Sequence, residues 1–268
     1  MYAFTLERPA TVQDAAKLAA SGSKPLAGGQ TLLASMKLRL SSPDKLADLS
    51  GIKDMSSIKR DDSGNVKSIV IGAMARHADV AVNADVMAAI PALAHLAGNI
   101  GDRQVRAMGT MGGSVANNDP SACYPSAVLA LGATIHTTAR KIEAKDYFQG
   151  MFATALNDGE LITAISFPIP KRAAYMKFKQ QASRFAMVGV FVAQFDGDVR
   201  VAVTGASSGG VFRHAGLEAA LNKSFTPESA AAVKIDATDL NHDIHATAAY
   251  RANIISVQTQ RGVAMALG

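Results

Sequence analysis

The chain has 268 residues, 49% of them apolar and 18% charged, which is enough to bury the core of one large domain or two modest ones. Its formal charge of +5 is scattered, with no basic run longer than two residues. That speaks for solubility or an anionic ligand and against a nucleic-acid stripe. No apolar stretch approaches the roughly 20 residues of a membrane span, and residues 1–10 lack the apolar segment of a signal peptide. The lone cysteine, Cys123, excludes an internal disulfide and an all-cysteine iron–sulfur site; a cytoplasmic setting is expected.

In chain order, Thr11-Val12-Gln13-Asp14 predicts a capping box opening a helix with Ala15, Ala16, Leu18 and Ala19 on its apolar face, ended by Gly22. A short strand over Lys24–Ala27 is expected to enter a first glycine turn, Gly28-Gly29, followed by a helical turn over Thr31–Lys37. Ile69-Val70-Ile71 marks a strand within Val66–Met74, and Asp79–Gly98, interrupted by Pro91, reads as two helices. A second glycine turn lies at Gly112-Gly113, and strands are expected over Val128–Thr137 and Leu161–Pro168. Pro168-Ile169-Pro170-Lys171-Arg172 is a break and a domain boundary. Beyond it, Asp196-Gly197-Asp198 joins strands over Met187–Phe195 and Val199–Thr204 as a hairpin, and helices follow over Arg213–Leu221, Pro227–Val233 and Thr247–Ala266. Strands followed by helices give an α+β class.

The two glycine pairs carry the chemistry. Without a Cβ, adjacent glycines let backbone N–H groups approach a bound group closely, and such amides suit phosphate. Two such turns suit a pyrophosphate held from both sides, so a dinucleotide is the first hypothesis. Thr31, Thr110 and Ser114 add hydroxyl donors. On this reading a branched side chain at Gly112 meets the phosphate and costs the bound dinucleotide with little loss of fold. Taken singly, each pair is as well explained as a tight turn. Asn117 and Asp119 are equally readable as ligands of sugar hydroxyls or as an Asx turn before Pro120. Cys123 reads as a small, partly buried residue. His242 and His245 lack a third ligand, so no metal site is expected.

Several stretches together resemble a known family. Ala27-Gly28-Gly29-Gln30-Thr31-Leu32-Leu33 with Met36-Lys37 and Arg39 is similar to the first flavin motif of the FAD-binding medium subunit of molybdenum hydroxylases, the carbon monoxide dehydrogenase medium-chain and xanthine dehydrogenase FAD-domain family. Gln104-Val105-Arg106, Thr110-Met111-Gly112-Gly113, Asp119-Pro120 and Pro125 resemble the second. Tyr175, Lys177-Phe178-Lys179 and Ser183-Arg184-Phe185-Ala186 resemble the start of its C-terminal domain, and Tyr250-Arg251 its last helix. Cys123 stands where many relatives carry Asp, and Ser114 where many carry Asn.

The resemblance implies a vanillyl-alcohol-oxidase-type FAD-binding domain over 1–170, in two α+β parts of about 1–55 and 56–170. A smaller α+β domain over 171–268 closes over the flavin. It implies non-covalent FAD held by Leu26–Leu33, Thr110–Ser114, Asn117, Asp119 and Cys123, with weaker contacts from Ile100 and Ile162. Lys179 is expected at the pyrimidine end of the ring and Phe185 against its face. It implies partner chains: a small iron–sulfur subunit with two [2Fe–2S] clusters and a large molybdopterin subunit, paired as a dimer of heterotrimers. This chain then passes electrons out and has no catalytic hydroxylation residues. The alternative is a self-sufficient flavin oxidoreductase on the same fold, which needs acid–base groups beside the ring that the sequence does not offer. Carbon monoxide, aldehydes, purines and N-heterocycles all stay open as substrates of the complex.

Overall fold

In the computed structural model, which describes residues Met1–Gly268, the chain forms three main sheets in sequence order. The first is a small parallel sheet of order β1-β3-β2, from β1 (Thr5–Glu7), β2 (Lys24–Leu26) and β3 (Lys45–Asp48). Helix α1 (Val12–Ala20) links β1 to β2, and Thr11 caps it by accepting from the Asp14 amide at 3.1 Å. Helix α2 (Leu32–Lys37) follows the first glycine turn.

The second sheet is antiparallel, of order β4-β5-β10-β6-β7: β4 (Ile58–Asp61), β5 (Ser68–Gly72), β6 (Thr134–Thr137), β7 (Lys141–Glu143) and, after a hairpin of β8 (Phe148–Gly150) and β9 (Ala153–Thr154), β10 (Ile162–Pro168). Between β5 and β6 the chain is helical: α3 (His77–Val82), α4 (Ala84–Ala89), α5 (Pro91–Gly98), α6 (Arg103–Met108), α7 (Met111–Asn117) and α8 (Tyr124–Leu131); the single turn α9 (Ala144–Tyr147) precedes β8.

Two sequence expectations are corrected here. The expected helix pair over Asp79–Gly98 is three helices, because Asn83 ends α3 and caps α4 by accepting from the Val86 amide. The expected strand over Val128–Thr137 is helix as far as Leu131. Gly132, in the left-handed conformation that a Cβ disfavours, then turns the chain into β6. A short apolar run has no period that separates buried helix from buried strand.

The third sheet, β11-β12-β13-β14, comprises β11 (Arg172–Lys179), β12 (Ala186–Phe195), β13 (Asp198–Thr204) and β14 (Phe212–Arg213), with the expected hairpin at Gly197. Alternation along β12 buries both faces. Phe191 and Ala193 join the main core with Tyr124 and Val128, while Val188, Val190 and Val192 pack with Leu217 of α10 (Ala215–Lys223), Ala230 of α11 (Pro227–Ala231) and Ile255 of α12 (Ala248–Leu267). That double burial explains why the β12 sequence is an almost unbroken apolar run.

Candidate functional site

The two glycine motifs, about eighty residues apart in sequence, touch. A Cβ on Gly28 would lie 2.0 Å from the Met108 carbonyl oxygen and 2.8 Å from the Gly109 Cα. A Cβ on Gly113 would lie 3.6 Å from the Ala27 Cβ. The first turn is a cradle of free donors. None of the six backbone N–H groups from Ala27 to Leu32 donates to a carbonyl or side chain of the protein. Gly29 takes a positive φ of +71°, and Thr31, at the start of α2, has a hydroxyl that caps nothing. The Gln30 side chain is exposed and reaches only its own turn, at the Gly28 carbonyl. A run of solvent-accessible amides with no protein acceptor is a donor set that suits a pyrophosphate.

The second motif differs from its sequence reading. Gly112 and Gly113 lie inside α7, and the amides there are already used: Met111 donates to Ala75, Gly112 to Ala73, Gly113 to the Thr110 hydroxyl and Ser114 to the Thr110 carbonyl. A Gly112 side chain would strike the Ala73 Cβ at 2.5 Å, so it would enter the protein's own core rather than a bound phosphate. Gly112 lets α7 lie directly on Ala73, the residue that follows β5. The expectation that Gly112→Val spares the fold is therefore corrected. Met111 is wholly buried in the core.

His77 completes this contact, although nothing in the sequence pointed to it. Its amide donates to the Gly109 carbonyl at 2.9 Å, and its ring lies against Gly109 and tilts onto Tyr124. Burial, helped by the Arg106 guanidinium, lowers the pKa of His77 from 6.5 to about 4, so the imidazole is neutral at pH 7. Arg106 in turn donates to the carbonyls of Ile100 and Gly101, fixing the loop that carries the half-buried Ile100.

Beyond α7, Asn118 sits in the left-handed region (φ 44°) and donates from Nδ2 to Gly150 and Ala153, both at 2.8 Å, so it clamps the β8–β9 turn. Asparagine tolerates that backbone, the one local signal that could have singled it out. The Asp119 carboxylate accepts from the Ser121 amide at 2.8 Å, which is the Asx turn. The Asn117 side chain is half-buried and makes no hydrogen bond within the chain. Cys123 is a free, buried thiol. The third sheet grips this segment: Thr204 donates to the carbonyls of Pro120 and Ala122, and the Gly205 amide donates to Pro120.

Ile162 opens β10 and is buried, next to Thr163, whose carbonyl accepts from Ala73. Lys179, at the exposed end of β11, makes no side-chain hydrogen bond or ion pair, but its neighbour Lys177 donates to the Asn99 carbonyl beside Ile100. Phe185 stands edge-on to His245 and is half-buried. Arg251 is a structural clamp. It is buried and donates to the carbonyls of Met187 and Gly205 and to Asp243. No group of three metal-ligating side chains occurs.

Residues 2–170 match the family model described as the FAD binding domain in molybdopterin dehydrogenase. The chain belongs to this family. The chain is similar, with 32% identity over 95% of its own length and 94% of the relative, to the nicotine 6-hydroxylase medium subunit of Paenarthrobacter nicotinovorans. It is 30% identical to the carbon monoxide dehydrogenase medium chain of Hydrogenophaga pseudoflava, over 97% and 96% of the two chains. Among solved structures, quinoline 2-oxidoreductase from Pseudomonas putida 86 superposes with a TM-score of 0.88 at 26% identity, covering 99% of this chain and 97% of that one. The chain is thus an FAD-binding medium subunit of the molybdenum hydroxylase type, an oxidoreductase component of α+β fold. No helix is long and apolar enough to cross a membrane.

Proposed function

We propose that this chain is the electron-exit subunit of a heterotrimeric molybdenum hydroxylase. It takes electrons from the [2Fe–2S] clusters of a small partner subunit and delivers them to an external acceptor, while a large molybdopterin subunit hydroxylates the substrate. The observation that carries the reading is the run of free N–H groups from Ala27 to Leu32 against Met108–Gly109. Bound FAD supplies a centre able to accept and release electrons singly or in pairs. The Ala27–Leu32 amides and the Thr31 hydroxyl would hold its pyrophosphate, with Leu26 and Leu33 beside them. Thr110, Gly112 and Gly113 fix α7, from which Ser114, Asn117 and Asp119 would serve the ribityl hydroxyls, with Cys123 in the same segment. Ile100 and Ile162 would supply apolar contacts, Phe185 would pack on the ring, and Lys179 would supply a cation to its pyrimidine end. The division at about residue 170, with a dimer of such trimers and a cytoplasmic setting, belongs to the same reading.

Relatives named for carbon monoxide, nicotine and caffeine match 95–98% of this chain at 25–32% identity. A medium chain shared by such different substrates supports a role that does not read the substrate. The test is purification of the native complex. FAD, iron and molybdenum should co-elute with this chain, and the chain alone should oxidise neither aldehyde nor purine. Turnover of either by the chain free of molybdenum overturns the proposal in favour of a self-sufficient flavoenzyme.

A further inference from the structure

Most large apolar side chains of this protein are buried, but one region exposes several together. Tyr2, Leu38 and Leu40 are 56%, 71% and 78% exposed, and Phe4 and Leu6 are also accessible. They converge: Arg39, between the two leucines, lays its guanidinium over the Tyr2 ring, 5.4 Å from the centroid. Phe4 and Leu6 follow Tyr2 at alternate positions in the chain, and Leu6 lies on β1, the outer strand of the first sheet. Apolar patches of this kind mark interaction sites.

The backbone that presents them is strained. Leu40 N–H bonds back to the Ser35 carbonyl and Arg39 N–H to Met36, so α2 ends in a Schellman-type cap with Arg39 in the left-handed position (φ 61°). Glycine fills that position at no steric cost, whereas arginine pays for it in free energy. What arginine adds is a cation on the patch. Lys37 and Lys45 flank it, and none of the three is in an ion pair: the eight salt bridges of the chain use other residues. Asp44 is the one carboxylate between residues 37 and 45.

We propose that this face, with Tyr2, Phe4, Leu38 and Leu40 at its centre and Lys37, Arg39 and Lys45 on its rim, docks a partner protein chain that presents an apolar patch ringed by carboxylates. The inference rests on the subunit reading above and adds the surface and its chemistry. Charge decides between occupants. A second copy of this chain, paired about a two-fold axis, would set the three cations against themselves. A membrane surface calls for a denser basic cluster of about four to eight Lys and Arg. A carboxylate-rimmed protein chain satisfies both the apolar centre and the unpaired rim.

The test uses the full chain co-expressed with the iron–sulfur and molybdopterin chains of the complex. Leu38→Asp/Leu40→Asp changes two exposed side chains, and Arg39→Gly removes the cation while relieving the backbone. Both variants should keep the wild-type circular dichroism and FAD content, and Arg39→Gly should melt no lower than wild type. Assembly, read by analytical ultracentrifugation, should weaken tenfold or more in the double variant and lose part of its salt dependence in Arg39→Gly. If the wild type assembles and both variants do so with unchanged Kd, the docking surface is wrong while the subunit reading stands. If the wild type fails to assemble, both fall. If the variants instead abolish self-association of the chain, or its flotation with phosphatidylglycerol vesicles, the occupant is a second copy or a membrane, and the proposal is overturned.

Discussion

Gly28→Ala is the sharpest probe of the phosphate cradle. The new methyl would sit 2.0 Å from the Met108 oxygen, 2.7 Å from its carbonyl carbon and 2.8 Å from the Gly109 Cα, all backbone atoms that cannot rotate away. Restoring ordinary contact, which begins at 3.4 Å, takes about 1.4 Å of separation between the two motifs. An amide–phosphate hydrogen bond near 2.9 Å does not survive such a shift. Hydrogen bonds to a charged group are worth about 1.5–3 kcal/mol each, so the loss of one or two weakens FAD at least about tenfold. Met108 and Gly109 must move to admit the methyl, so the flavin-free protein should also melt lower than wild type, and FAD affinity is read on protein folded at the assay temperature. Gly112→Ala perturbs the other motif without touching the cradle. Its methyl meets Ala73 at 2.5 Å in the core, an overpacking worth about 1–3 kcal/mol and roughly 2–10 °C in Tm. Kd comes from flavin fluorescence on reconstituting flavin-stripped protein, and Tm from melts without FAD. A Gly28→Ala protein that binds FAD within threefold of wild type would refute the cradle.

Other expectations are as direct. For His77 the folded pKa is depressed to about 4, so the unfolded state takes up the proton first. Stability is full above pH 6.5 and falls as pH drops from about 6.5 to about 4, by about 3 kcal/mol in all. His77→Gln should remove that share of the acid slope in denaturant titrations at pH 7 and 4.5, and an unchanged slope would show that the imidazole titrates freely. Asn118→Gly keeps the left-handed backbone but loses both 2.8 Å bonds to Gly150 and Ala153. The β8–β9 turn should loosen by about 1–3 kcal/mol, seen as faster hydrogen exchange and cleavage near Met151–Phe152, which wild-type protection factors in the variant would contradict. Lys179→Met should leave FAD content unchanged and lower the midpoint potential of the bound cofactor; an unaltered potential makes Lys179 a solvated strand residue.

What the sequence determined by itself is local. The Thr11 cap, the Gly197 hairpin and the final helix rest on contacts within a few residues, so their signals lie side by side in the chain. Family membership was legible for a related reason: the Gly28-Gly29 and Gly112-Gly113 motifs survive as short strings whatever surrounds them. Only the tertiary structure decided what each glycine is for. Gly28 must be glycine because Met108, eighty residues on, presses on it, and Gly112 because Ala73 does. The same holds for His77, whose neutral imidazole is produced by burial under Tyr124 and beside Arg106. The helix over Val128–Leu131 belongs here as well, since an apolar run fits either a buried helix or a buried strand until its neighbours are in place. Similar glycine motifs thus divide into a turn of free amides and a packing contact, because free amides and close approach are properties of pairs of segments rather than of either string alone.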